Sequence, residues 1–399
     1  MANHASPALH ASGTDGDFLS KIRQVVDEVA RPHAEEVDRE ARFPKECIDA
    51  LRQMGALSAF LTPSLGGRAV SFSAIAEACF VLGRGCSASA MVFAMHQIQV
   101  ITLSRHASDQ PYFNAYLRRL AEGQRLIASV TSEVGNGGDL SRSNVALTPD
   151  GDEGGDEFVF SKIAPTVSYG IYADDLLTTL RRGPGAEAGD QVLVLTHSDH
   201  ATLDEQGTWD PLGMRGTCSP GFQISARLHA DQVVAEPFAR IAPQSMVPIS
   251  HILWSHVWHG IATDAFDRAR AFVRAQAKQS PGNTPQTAIK LSKLMAKLQS
   301  LRSEVRGALG EFLEQYEDRD KLMTFASVLR FNSLKLASSE LTVRVCRDAL
   351  ELIGILGYQN NSKFSVGRHL RDALSAPLMI ANERIHSTNA GLLLVAKEV

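Results

Sequence analysis

The sequence predicts a mainly helical α+β protein with three parts. They are an N-terminal helical domain, a small central antiparallel β-barrel or sandwich, and a C-terminal four-helix bundle. Three observations predict it. Apolar residues recur at steps of three and four up to about residue 126 and again after about 238. Between those points they alternate over short runs separated by Gly/Pro turns. The 399 residues, 44% hydrophobic and 21% charged, suffice for sizeable cores. The expected boundaries are a tail at 1–15, helices at 16–126, strands at 127–238 and the bundle at 239–399.

Taken in order, Leu19, Ile22, Val25, Val26 and Val29 lie on one face of a helix over 17–42. Pro44 starts a second helix and Gly55 stops it. Pro63-Ser64-Leu65-Gly66-Gly67 is a loop. Helices then follow over 72–82, 87–105 and 110–122. Strands are expected at 128–130, 145–148, 158–162, 175–180, 191–196, 221–228 and 232–234. Turns are marked by Pro149-Asp150-Gly151 and Gly183-Pro184-Gly185. Helices return over 250–277, 285–315 and 321–353, and a fourth runs from about Val366 to the C-terminus.

The bulk numbers exclude several classes. A net charge of −4 gives no reason to expect nucleic acid or an anionic membrane as partner. Cys47, Cys79, Cys86, Cys218 and Cys346 are scattered without CxxC spacing. That argues against a zinc site or a disulfide framework and fits a reducing cytoplasm. The N-terminus has neither the basic nor the apolar segment of a signal peptide, and no apolar run reaches membrane-spanning length.

Residues 129–139, Ser-Val-Thr-Ser-Glu-Val-Gly-Asn-Gly-Gly-Asp, sit where helical patterning gives way to strands. They gather hydroxyls, glycine-freed backbone amides and two carboxylates. Such a loop can wrap a planar or anionic ligand, and it can equally be a plain domain junction.

Motifs along nearly the whole chain decide between these. Pro63–Gly67 resembles a P-x-x-L/Y-G-G turn, and Ser132–Asp139 resembles T-E-P-x-A-G-S-D. Lys162 followed by Thr166 resembles G-x-K-x-W-I-T, and Trp209–Thr217 resembles W-x-x-L-G-x-R-x-S/T. Gly354-Ile355-Leu356-Gly357-Tyr358 resembles G-G-x-G-Y, and Arg371-Asp372-Ala373 matches R-D-A. In this order they resemble the acyl-CoA dehydrogenase family of flavoproteins. The resemblance implies FAD, held by Ser129, Val130, Ser132, Gly137, Gly138, Thr166, Gly354 and Asn382, and a homodimer or homotetramer. It implies hydroxyl and amide donors at the flavin edge, where negative charge accumulates on reduction.

Departures concern the chemistry. The family's catalytic Glu lies nine residues after the Arg of R-D-A, and here that position is Ile380. Three substitutes are considered. Glu383 lies three residues on, and its alternative is an exposed helix carboxylate. His251 falls where some members place the base on the first bundle helix, and its alternative is a structural histidine, as for His256 and His259. His96 lies on the long helix that in the family lines the acyl pocket, and its alternative is a hydrogen-bonded core residue. The family's R-x-x-F-G arginine is replaced near Gln276-Ala277-Lys278-Gln279, the Trp of W-I-T is Ala164, and the Ser of A-G-S-D is Gly138.

The leading expectation is α,β-dehydrogenation of an acyl thioester, on CoA or a carrier protein, with an electron acceptor that the sequence leaves open. A reduced-flavin monooxygenase on the same scaffold is the first alternative. It needs no α-proton base, but the stretch after R-D lacks the His such enzymes carry. A non-catalytic flavin-binding or structural subunit is the second. No metal site is expected.

Overall fold

The structure is a computed structural model and describes residues 13–136, 139–151, 155–279 and 283–396. Helix α1 (Asp15–Val25) continues through one π-helical turn at Val26–Ala30 into α2 (Arg31–Arg39). The segment expected as tail therefore ends earlier. Asp15 is buried, and its carboxylate accepts the Ser71 amide at 3.0 Å and the Ser71 hydroxyl at 2.7 Å. Then come α3 (Lys45–Gln53), α4 (Phe72–Gly83), α5 (Ser87–His106) and α6 (Pro111–Gly123). Ser71 caps α4 by accepting the Ala74 amide at 3.1 Å.

The strands form two sheets, antiparallel throughout except for one pair. In the first, β1 (Ile127–Val130) runs parallel to β4 (Asp175–Arg181), which pairs antiparallel with β5 (Gln191–His197). The chain leaves β1 over a long excursion before β4, and that length permits the parallel crossover. The second sheet is antiparallel, in the order β2 (Thr148–Pro149), β3 (Glu157–Ala164), β7 (Gly221–His229), β6 (Ala201–Gln206). Strand β6 is absent from the sequence expectation. Ala-Thr-Leu-Asp-Glu-Gln is an exposed edge strand, so it carries no apolar alternation to read. The expected strand at 232–234 is instead a 3-10 turn, Ala230–Gln232, with one bridge at Val233.

Helix α7 (Phe238–Ile241) leads through a second π-helical turn, Ala242–Met246, into α8 (Val247–Gln279). With α9 (Thr287–Gln315) and α10 (Phe325–Ile353) it builds the bundle. Helix α8 is buried through most of its length because α4 and α5 cover the face that α9 and α10 leave open. Gly83 and Gly260 make that crossing close. A Cβ on Gly83 would come 2.5 Å from the Val257 carbonyl oxygen, and one on Gly260 would come 2.3 Å from that of Phe80. After the short α11 (Ile355–Tyr358), the expected fourth helix is two pieces, α12 (Gly367–Leu374) and α13 (Asn382–Leu393). Pro377 lies between them, where it has no N–H to continue a helix.

Candidate active site

The break between α12 and α13 opens onto a cavity of about 810 Å³. Its walls differ. On α5, Met91, Met95 and Ile98 face it at steps of four and three. On α8, Val247, Ser250 and Trp254 do the same. The opposite wall is rich in hydroxyls from the β region, among them Ser129, Ser132, Thr166 and Thr217.

The turn carrying Thr217 is locked to α12. A Cβ on Gly213 would lie 2.1 Å from the Arg371 carbonyl oxygen. The Met214 amide donates to Asp372 Oδ1 at 2.7 Å. Arg371 donates to the Leu212 carbonyl at 3.0 Å and clamps the Asp38 carboxylate of α2. Trp209 Nε1 donates to the Arg215 carbonyl at 2.8 Å and completes the turn. Two motifs about 160 residues apart in sequence thus form one clasp.

The glycine-rich loop is held by its own acids. Glu133 is buried. It accepts the Ser143 hydroxyl and the Asn144 amide, each at 2.7 Å, and pairs with Lys162 at 3.4 Å. Lys162 is fully buried, and desolvation lowers its pKa to about 8. Asp139 accepts the Ser141 amide and hydroxyl at 2.9 and 2.6 Å. Both carboxylates fix the loop's shape and leave its hydroxyls to face the cavity.

The expected flavin residues divide. Ser129, Ser132 and Thr166 line the cavity. Ser132 donates its proton to the Thr166 carbonyl at 2.7 Å, so toward a ligand its oxygen offers lone pairs. Val130 lies in β1, buried, with its carbonyl 3.4 Å from Lys162 Nζ. Asn382 turns away from the cavity, accepting from Lys335 Nζ at 2.6 Å and donating to Ser339 at 3.1 Å. Gly354 ends α10 with φ +72°, exposed and not on the wall. Gly137 and Gly138 lie outside the described residues.

None of the three substitute bases lines the cavity. His96 is fully buried between α5 and its neighbours. Its Nε2 meets the Leu57 carbonyl at 2.8 Å, and its Nδ1 accepts the Ile127 amide at 3.1 Å. Both ring nitrogens are spent on tying α5 to β1, and burial lowers its pKa to about 4. His251 donates from Nδ1 to the Phe331 carbonyl at 3.0 Å, with its pKa lowered to about 3 by burial. His256 and His259 are likewise buried in α8. Glu383 is exposed in the first turn of α13. Ile380 does line the cavity, at φ +51°, followed by Ala381 at φ +23°. Left-handed backbone at a β-branched residue is strained.

Sequence reading missed Gln99, Trp254 and Arg384 on the walls. Gln99 Oε1 and Trp254 Nε1 are buried without partners. For Gln99 the available signal was a polar group on the otherwise apolar face of Met91, Met95 and Ile98. Among the described residues no His/Cys/Asp/Glu group suits a metal, the five cysteines are buried and unpaired, and no helix is long and apolar enough to cross a membrane.

The family description "Acyl-CoA dehydrogenase, N-terminal domain" matches residues 14–124, and "Acyl-CoA dehydrogenase, C-terminal domain" matches residues 248–381. Together they span more than half of the chain. The chain belongs to the acyl-CoA dehydrogenase family. A probable acyl-CoA dehydrogenase of Bacillus subtilis, YngJ, is 23% identical over 88% of this chain and 91% of its own length. Among solved structures, butyryl-CoA dehydrogenase of Megasphaera elsdenii superposes with a TM-score of 0.82 at 18% identity, covering 97% of this chain and 100% of its own. FMN-bound TdsC of Paenibacillus sp. A11-2 gives 0.80 at 21% identity, covering 95% and 97%. The fold, the membership in a flavoenzyme family and the flavin are thus as the motifs implied. The walls fit that group, since hydroxyls on one side and methionines on the other suit a flat ring with a polar edge.

Proposed function

We propose that the protein is an FAD-dependent oxidoreductase that dehydrogenates an acyl thioester at its α,β-bond. One observation carries the reading. A single cavity joins the hydroxyl-rich β wall to an apolar wall from α5 and α8, which suits a ring system beside an acyl chain. Its size lies within the roughly 300–1,000 Å³ of small-molecule sites. A bound flavin supplies the acceptor for the β-hydride. Ser129, Ser132 and Thr166 would hold its edge, and Met91, Met95 and Ile98 would exclude water from the acyl chain. The proposed assembly is a homodimer or homotetramer in the cytoplasm.

The α-proton has no ready acceptor. Among the described wall residues the one carboxylate, Glu133, is engaged by Lys162 and the loop. Ile380 therefore favours one second reading, oxygenation by reduced flavin, which needs no such base. Anaerobic titration of the purified protein with acyl-CoAs of graded length separates the two. Bleaching of the flavin band by any of them supports dehydrogenation. No bleaching, together with transfer of an oxygen atom from O2 into an added organic substrate once an external reductant is supplied, replaces it with oxygenation.

A further inference from the structure

Arg384 stands apart from the other charged groups of the cavity. Glu133 is neutralised by Lys162, and Arg371 by Asp38. Arg384 lines the cavity half-buried from the first turn of α13 and forms no ion pair among the described residues. Among the described residues its two terminal nitrogens reach only the Asn136 carbonyl, each at 3.4 Å, which is near the limit of a hydrogen bond. The acid that acts on it electrostatically, Asp139, has its carboxylate engaged by Ser141. Among the described residues this guanidinium makes no direct ion pair, and its planar fork suits an oxyanion.

We propose that Arg384 binds a phosphate group of the flavin. Its position chooses the flavin over the substrate. The Asn136 contact places the guanidinium against the loop that supplies Ser129 and Ser132, on the β side, whereas the acyl wall is built by α5 and α8. Ala381, the N-cap of α13, also lines the cavity and gives that helix no side-chain cap, so the positive end of the helix adds to the same field. The site rests on the flavin reading above and names its phosphate anchor.

The test is direct binding. Full-length protein, stripped of any flavin, is titrated with riboflavin, FMN and FAD by quenching of flavin fluorescence. Arg384→Gln is expected to weaken FMN and FAD about 10- to 100-fold, the scale of a charged hydrogen bond, and to leave riboflavin unchanged. Arg384→Lys is expected to recover part of the loss. Melting temperatures of the flavin-free variants check that the fold is intact. Equal weakening of all three ligands, or of none, overturns the assignment while leaving the flavin reading standing. A wild-type protein that binds none of the three sinks that reading itself. If Arg384→Gln instead weakens an acyl-CoA but not its acyl-pantetheine analogue, with the flavins unaffected, the phosphate belongs to the substrate and this assignment fails.

Discussion

Two stretches meet the cavity from neighbouring parts of the chain and are built in opposite ways. The clasp between the Gly213 turn and α12 is fixed several times over, by a backbone contact that admits no side chain, by Asp372, and by the Arg371–Asp38 pair. The turn between α12 and α13 is held by local backbone bonds, among them Leu378 and Met379 to the Ser375 carbonyl at 3.0 Å. It exposes Leu378 and keeps two successive residues at positive φ. The first fixes where the cavity is. The second presents Ile380 to the cavity. The difference teaches that a site's frame and its chemistry can be specified separately, and the frame leaves the stronger trace.

Breaking the frame has the largest expected effect. Gly213→Ala drives a methyl into the Arg371 backbone and is expected to cost ~3 kcal/mol or more, read from urea denaturation. A loss under about 1 kcal/mol would mean the clasp yields easily. On the other side, Ile380→Glu restores a carboxylate at the wall. It is expected to speed anaerobic acyl-CoA bleaching about 100-fold, equivalent to roughly 2.7 kcal/mol. An unchanged rate would show that proton removal is not what Ile380 limits. His96→Leu removes the tie between α5 and β1 and is expected to cost about 2–3 kcal/mol without shifting any pH optimum between 5 and 8. A shifted optimum would return His96 to the chemistry.

Lys335 tests the turn's surroundings. It is fully buried beside Asn382, and desolvation lowers its pKa to about 8. Because the unfolded chain keeps that proton to higher pH, stability should rise as pH climbs from about 8 toward the unfolded value near 10.4. Lys335→Met is expected to gain on the order of 1–2 kcal/mol at pH 7 and to flatten that rise. A steeper rise would refute the assignment. The smallest effect is expected from Ala381→Gly, a gain of about 0.5–1 kcal/mol in the melting curve, since glycine relieves the positive φ.

How much of this was legible follows the same division. Pro63–Gly67, Trp209–Thr217 and Arg371–Ala373 were readable because backbone contacts restrict residue type at fixed spacing. Gly213 is the clearest instance. The helices of the first third were readable from periodicity, as was the buried character of α5. The parallel β1–β4 pair was not, because alternation reports a face and not a neighbour's direction. Nor was the broken last helix, since Leu374, Leu378 and Met379 continue an apolar pattern through the turn. Pro377 was the one signal against continuity. At the site, counting from Arg371 pointed to Ile380, which lines the cavity. The roles of His96 and His251 required their carbonyl partners, Leu57 and Phe331, which lie tens of residues away.

The glycine crossing of α4 and α8 has one more consequence. With Gly83 and Gly260 in backbone contact, these helices cannot approach further, and any lateral slide would break a fit made of main-chain atoms. Neighbouring α5 is tied in turn to β1 through His96. The helices α5 and α8 are therefore backed by fixed contacts to main-chain atoms, and the side chains projecting from them shape the cavity. Met91 and Met95 are unbranched thioethers that rearrange at little cost. These two side chains can therefore reshape the wall while the helix behind them stays in place.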